Sequence, residues 1–121
     1  MKTYVFVYGT LKRNGKNHHL LYNSKFIKEC YTTSDYLLYD LGFYPAMIKS
    51  SEGKRIKGEI FEIDYEKLKI FDALECVDYG LYKREIISLE DFEGAVFGYL
   101  YCRDISQFNE IECFQQSVDE F

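Results

Sequence analysis

The sequence predicts an α+β fold: a small, mixed, mostly antiparallel β-barrel or curved sheet with one main helix packed against it. Three observations carry that prediction. Short runs of strand-forming residues dominate the chain and are punctuated by turn residues. One segment, DYEKLKIFDALE at residues 64–75, has a pronounced helical pattern. The resulting order of β, short α, several β, α, two β is that of an α+β domain.

The elements follow in chain order. Residues 3–8, TYVFVY, are strand formers and end at Gly9, which permits a sharp exit and close backbone approach. A short helix is expected over residues 17–23. Residues 25–39 contain the β-rich pieces KFIKECYTT and YLLYD. The stretch LGFYPAM then brings the single proline, Pro45, which cannot donate to a ladder and so bars a regular central strand there. A short strand at 46–49, a turn cluster at 50–53 and a clear strand at 56–63 come next. Asp64 is a suitable N-cap for the main helix. Strands at 82–89 and 95–102 are joined by EDFEG as a hairpin. The tail, residues 105–121, has room for a helix and carries little functional signal.

Composition narrows the function. A chain of 121 residues argues for one domain, 1–121, able to bury a core. With 47% apolar residues, 18% aromatics and one proline, it is an ordered chain. A net charge of −5 disfavours nucleic acid as a partner, because phosphate contact needs a basic patch. No apolar run approaches the ~18 residues of a membrane span. The apolar stretch in MKTYVFVYGT is too short for a signal peptide, so cytoplasmic residence is expected. Cys30, Cys76, Cys102 and Cys113 include no C-x-x-C pair, which argues for free thiols and against structural zinc. No metal or cofactor is expected; oligomeric state is left open.

The stretch VFVYGTLKRNGKNHH, residues 5–19, poses the first functional question. A P-loop would have four residues between its first glycine and Gly-Lys-Ser/Thr. Here five residues separate Gly9 from Gly15-Lys16, and Asn17 stands where a magnesium-binding hydroxyl belongs. Backbone N–H groups after a sharp strand exit can still form an anion-binding nest, while the plain alternative is an ordinary βα turn. His18 and His19 are adjacent and would point apart on a helix, so they read as surface residues rather than metal ligands. Glu59 and Glu62 lie on opposite faces of their strand and do not make a paired-acid site.

The helix offers a stronger candidate. At ~100° per residue, Leu68, Phe71 and Leu74 define its apolar face, and Glu75 falls about 20° from Leu68 and about 40° from Phe71. Asp72 falls at the edge of that face. A carboxylate within a buried stripe at a helix C-terminus is disfavoured in its charged form twice over, by desolvation and by the dipole. Such a group is a candidate general base; a frayed last turn that turns Glu75 to solvent is the alternative. Cys76 beside it is a candidate nucleophile or a partly buried bystander. Tyr82 and Tyr101 read as packed aromatics with a hydrogen-bonding tip.

Four segments, VFVYGTLKR with NH shortly after, GFYPAM, IKGEIFEID and FDALECVDYGLYKRE, together and in this order resemble the γ-glutamylcyclotransferase-like family, closest to its γ-glutamylamine cyclotransferase branch. The resemblance covers residues 5–103. It implies a compact mixed β-barrel in which the YGTL loop and the helix-end glutamate face one cavity. By position it implies that Tyr8, Gly9, Thr10 and Leu11 cradle the substrate, that Glu75 is the catalytic glutamate, and that Tyr82 and Tyr101 lie near the pocket. Two departures are visible: KRNG stands where the branch usually reads KRG, and the segment between Glu75 and Tyr82 is one residue longer. The implied chemistry is release of 5-oxoproline and a free amine from a small γ-glutamyl substrate, without a cofactor. Two other functions share the cradle: a non-catalytic binding module for a γ-glutamyl or amino-acid ligand, and removal of a γ-glutamyl group from a biosynthetic intermediate.

Overall fold

The structure is a computed structural model and describes residues 1–111. Among these residues eight strands form two sheets: β1 (Lys2–Val7), β2 (Lys25–Tyr31), β3 (Tyr36–Asp40), β4 (Pro45–Lys49), β5 (Lys57–Asp64), β6 (Tyr82–Ile86), β7 (Val96–Tyr101) and β8 (Asn109–Glu110). The larger sheet runs β2-β5-β1-β7-β6 and the smaller β4-β3-β8. All pairings are antiparallel except β1 with β7, which run parallel through Tyr4↔Val96 and Val5↔Phe97. Among the described residues the single α-helix is α1 (Lys67–Leu74).

The core follows from the period of two along the central strands. Phe6, Tyr8 and Ile60 point to one face of the large sheet and pack with Tyr36, Leu38 and Met47 of the small sheet. Their neighbours Val5, Val7, Phe61 and Ile63 point to the other face and pack with Leu68 and Phe71 of α1. A central strand buried on both faces needs continuous apolar residues, and VFV of β1 supplies them.

Three expectations need correction. The barrel does not close. Strands β2 and β6 are the edges of the large sheet, and only the segments that follow them meet, at an isolated bridge, Thr32↔Leu89. The helix expected over 17–23 is a 3-10 turn, His18–Leu21, because the preceding loop folds back on itself. Asp64 does not cap α1. It is the last residue of β5, opposite Lys2, whose ammonium it holds at 2.8 Å. The β1–β5 ladder claims Asp64, and α1 starts three residues later with no side-chain cap at Glu66.

Elsewhere sequence and structure agree closely. Pro45 opens β4, an edge strand whose first position tolerates a missing donor. β6 and β7 form the expected hairpin, with register Tyr82↔Tyr101 to Ile86↔Phe97. Cys30, Cys76 and Cys102 are free thiols. Residues 105–111 hold a turn and β8 but no helix; the rest of the tail, with Cys113, lies outside the described residues. No helix among the described residues is long and apolar enough to cross a membrane.

Candidate active site

A cavity of about 440 Å³ opens where the end of β1 meets the start of β4 and the end of α1. Tyr8, Gly9, Thr10 and Leu11 line it from one side, and Glu75, Cys76, Leu81 and Tyr82 from the other. Its size is that of a small-molecule site, and its wall is mostly apolar with a few polar groups.

The loop after β1 is a closed structure. Lys12 N–H donates to the Gly9 carbonyl at 3.1 Å, Gly15 N–H to that of Lys12 at 2.7 Å, and Asn17 N–H to that of Thr10 at 2.9 Å. The Asn17 amide also donates to the Thr10 hydroxyl at 2.9 Å. These bonds leave the N–H groups of Gly9, Thr10 and Leu11 without an acceptor among the described residues. Successive donors of this kind beside a cavity can serve as an anion nest. Gly9 makes a close approach: a Cβ there would lie 3.0 Å from both Cγ and Cδ of Pro45, so the proline ring would have to give way. Gly15 is required more strictly, since a Cβ would lie 2.2 Å from the Thr10 carbonyl oxygen. Asn14, at φ 71°, takes the left-handed position that reverses the chain just before it.

Glu59 anchors this loop from β5. Its carboxylate is 4% exposed and accepts the Arg13 N–H at 2.8 Å and the Arg13 Nε–H at 3.1 Å. The Arg13 guanidinium in turn lies 3.9 Å from the centre of the Phe26 ring. His18, expected at the surface, donates a ring N–H to the Leu11 carbonyl at 2.8 Å and packs against Phe61. Only His19 of the pair is exposed.

Glu75 stands at the C-terminal end of α1, partly buried, with φ −86° and ψ 5°. Its N–H still donates to the Phe71 carbonyl at 2.9 Å, so the last turn is intact rather than frayed. Cys76 then takes the left-handed conformation at φ 53°, a position usually given to glycine, and the chain leaves the helix axis. Burial pushes the Glu75 carboxyl up from 4.5 to about 7. Leu74, expected in the apolar core, is 38% exposed at the cavity mouth instead.

The tyrosines build the wall. The Tyr8 hydroxyl donates to the Tyr99 carbonyl at 2.7 Å and accepts the Met47 N–H at 3.3 Å. The Tyr82 hydroxyl donates to the Pro45 carbonyl at 2.9 Å. Both donors are therefore committed to backbone, and what these residues present to a ligand is a ring face and a lone pair. Burial raises the pKa of each, Glu75 adding a smaller upward contribution, so both stay neutral. Tyr101 does not line the cavity. It sits opposite Tyr82 in the hairpin and supports that ring edge-to-face at 5.2 Å. Tyr99, two residues earlier on the same face, lines the cavity, and its hydroxyl donates to Asp72 at 2.7 Å. Asp72 is held in place by Arg84 at 2.8 Å.

Lys16, Asn17, Phe43, Tyr44 and Tyr99 also line the cavity and have no individual signal in the sequence. Phe43 and Tyr44 carried one indirectly, by flanking Pro45 in GFYPAM. Among the described residues no three His, Cys, Asp or Glu side chains gather at one point.

Comparison with known proteins places the chain in a family. The family model described as "Gamma-glutamyl cyclotransferase, AIG2-like" matches residues 5–116. The Escherichia coli K12 protein named gamma-glutamylcyclotransferase family protein YtfP is 31% identical over 108 residues, covering 89% of this chain and 90% of its own. A zebrafish protein named gamma-glutamylaminecyclotransferase C is 36% identical over 100 residues, covering 75% of this chain and 64% of its own. Among solved structures, a mouse AIG2-like protein superposes with a TM-score of 0.72 at 25% identity, covering 82% of this chain and 76% of its own.

Proposed function

The chain belongs to the gamma-glutamyl cyclotransferase, AIG2-like family, and from that premise we propose that it releases 5-oxoproline from a γ-glutamyl amine or γ-glutamyl amino acid, with Glu75 as general acid and base. One observation supports the reading: Glu75, whose carboxyl is pushed up to about 7 by burial, lines the same mostly apolar cavity as Gly9, Thr10 and Leu11, whose backbone N–H groups serve in this reading as the anion nest. A γ-glutamyl group has an α-carboxylate for the nest and an α-ammonium for the carboxylate.

The reaction needs both in place at once. The ionised Glu75 takes one proton from the α-ammonium. The freed amine attacks its own γ-carbonyl carbon, closing a five-membered ring as the new C–N bond forms. As the old amide C–N bond breaks, the leaving nitrogen takes the proton held by Glu75, and the second proton of the attacking nitrogen follows through the same carboxylate, so that the amine departs as an ammonium and the lactam keeps one N–H. Protons balance, and the glutamate ends as it began. Because nucleophile and electrophile belong to one molecule, holding the folded-back conformer supplies much of the acceleration. A base titrating near neutrality is matched to this exchange. The rings of Tyr8 and Tyr82 keep water from the reacting centre, and Tyr99 completes the same wall.

A panel of γ-glutamyl amines and amino acids, scored for 5-oxoproline by mass spectrometry, tests the proposal. Turnover is expected with the wild type and with Cys76→Ala, and a loss of about 10²–10⁴-fold with Glu75→Gln. Glu75→Gln turning over as wild type while Cys76→Ala was dead would replace this mechanism with a thiol one.

A further inference from the structure

Among the described residues the cavity is lined by one carboxyl side chain, Glu75, and one ammonium, Lys16. Lys16 lies at the exposed rim. Its ammonium donates to the Phe43 carbonyl at 3.0 Å and sits 5.7 Å from the centre of the Phe43 ring. It has no carboxylate partner among the described residues. An ammonium carries three donors, and one carbonyl takes one of them. The loop bonds of Asn17 to Thr10 fix the backbone from which Lys16 extends. Beside it the rim is apolar, with Phe43, Tyr44 and Leu74 at 77%, 38% and 38% exposure.

Resting on the function proposed above, we infer that Lys16 selects the leaving group by charge: the preferred leaving amine carries a carboxylate, with an apolar side chain against Phe43, Tyr44 and Leu74, and cationic amines are rejected. The glutamyl half of the substrate is already matched, its carboxylate by the N–H groups of Gly9–Leu11 and its ammonium by Glu75. The remaining unmatched charge at the site is the Lys16 ammonium, on the side where the leaving amine must emerge. A polyamine tail placed there meets a like charge. A neutral alkylamine gains the apolar rim but leaves the ammonium unpaired. An amino-acid leaving group satisfies both.

The test uses three ligands that share the glutamyl half: γ-glutamylphenylalanine, γ-glutamylphenethylamine, which lacks only the carboxylate, and γ-glutamylcadaverine, which adds a cation. Affinity is measured by calorimetry on Glu75→Gln protein, so that nothing turns over, with and without Lys16→Met. 5-Oxoproline release is measured separately on the wild type. The first ligand is expected to bind about fivefold tighter than the second, the scale of one exposed ion pair. That ratio should collapse to about one in Lys16→Met and shrink with added salt. Cadaverine binding should improve in the same variant. Thermal melts of both proteins show whether the variant is folded, and Lys16→Arg should keep the ratio. An unchanged ratio in Lys16→Met overturns the inference, including the case in which all three ligands weaken together because Lys16 holds the glutamyl carboxylate. Binding that follows the expected ratio while the wild type releases no 5-oxoproline overturns the catalytic reading alone. No binding by any of the three overturns both.

Discussion

Glu75 owes its unusual titration to where one residue falls on one helix turn. Its carboxyl in the folded chain titrates near 7, against 4.5 for an ordinary glutamate. The folded state therefore holds the proton more tightly than the unfolded state. Its stabilising effect is present below pH ~4.5 and is lost as pH rises through about 7. The loss amounts to at most about 3 kcal/mol at 1.36 kcal/mol per unit. Glu75→Gln is expected to lack this slope, gaining on the wild type between pH 5 and 8 in urea melts. If Glu75 is the base, kcat/KM of the wild type rises with pH to a plateau above about 7. A flat profile from pH 5 to 8 would remove it from that role. Gly9 is constrained at the same scale. Gly9→Val presses on the Pro45 ring and is expected to cost about 1–3 kcal/mol by overpacking, and to raise KM by displacing the nest. A normal melting curve with normal KM would contradict that.

The loop and the helix end act as units held by a few bonds. Glu59 shares no face with Glu62 and makes no acid pair, yet it fastens the loop to β5 through two bonds to Arg13. Glu59→Ala leaves the Arg13 N–H without its acceptor in a partly buried place. It is expected to cost about 1–3 kcal/mol of stability and to raise KM more than it lowers kcat, since the nest loosens while Glu75 stays in place. Equal losses in both kinetic constants would show that Glu59 acts elsewhere. The end of α1 has the reverse character. Cys76 holds a left-handed conformation that glycine adopts without strain. Cys76→Gly is expected to keep turnover and to leave stability within about 1 kcal/mol of the wild type. A dead Cys76→Gly enzyme with a normal melt would assign the thiol a chemical role.

Across the whole molecule, hydrogen bonds from tyrosines tie the two sheets together at the cavity. Tyr8 bridges Tyr99 on β7 and Met47 on β4, and Tyr82 on β6 donates to Pro45 at the start of β4. The sheets do not close into a barrel, so these bonds set their spacing at the site. Tyr8→Phe leaves the buried Met47 N–H and Tyr99 carbonyl unpaired and is expected to cost about 1–3 kcal/mol. Tyr82→Phe orphans one carbonyl and should cost less. The double variant should lose less than the sum of the two, because both hydroxyls hold the same strand in place. Additive losses in chemical denaturation would mean that the two contacts are independent.

Much of this was legible in the residues themselves. Alternating and continuous apolar runs mark the strands because side chains must reach one core face or two, and Pro45 marks an edge because it has no donor. The position of Glu75 on the apolar stripe was visible on a helical wheel, since Leu68 and Phe71 must face the core. Local pattern could not say where Asp64 would go, because a cap and a ladder position compete and the long-range pairing with Lys2 won. Nor could it choose Tyr99 over Tyr101, which alternate with the same period, or single out Lys16 and Phe43 from other surface residues. Those depend on which loops meet across a cavity. The sequence determines which residues must be buried and which backbone groups must be paired; the packing of two sheets decides which of the remainder face the same small volume.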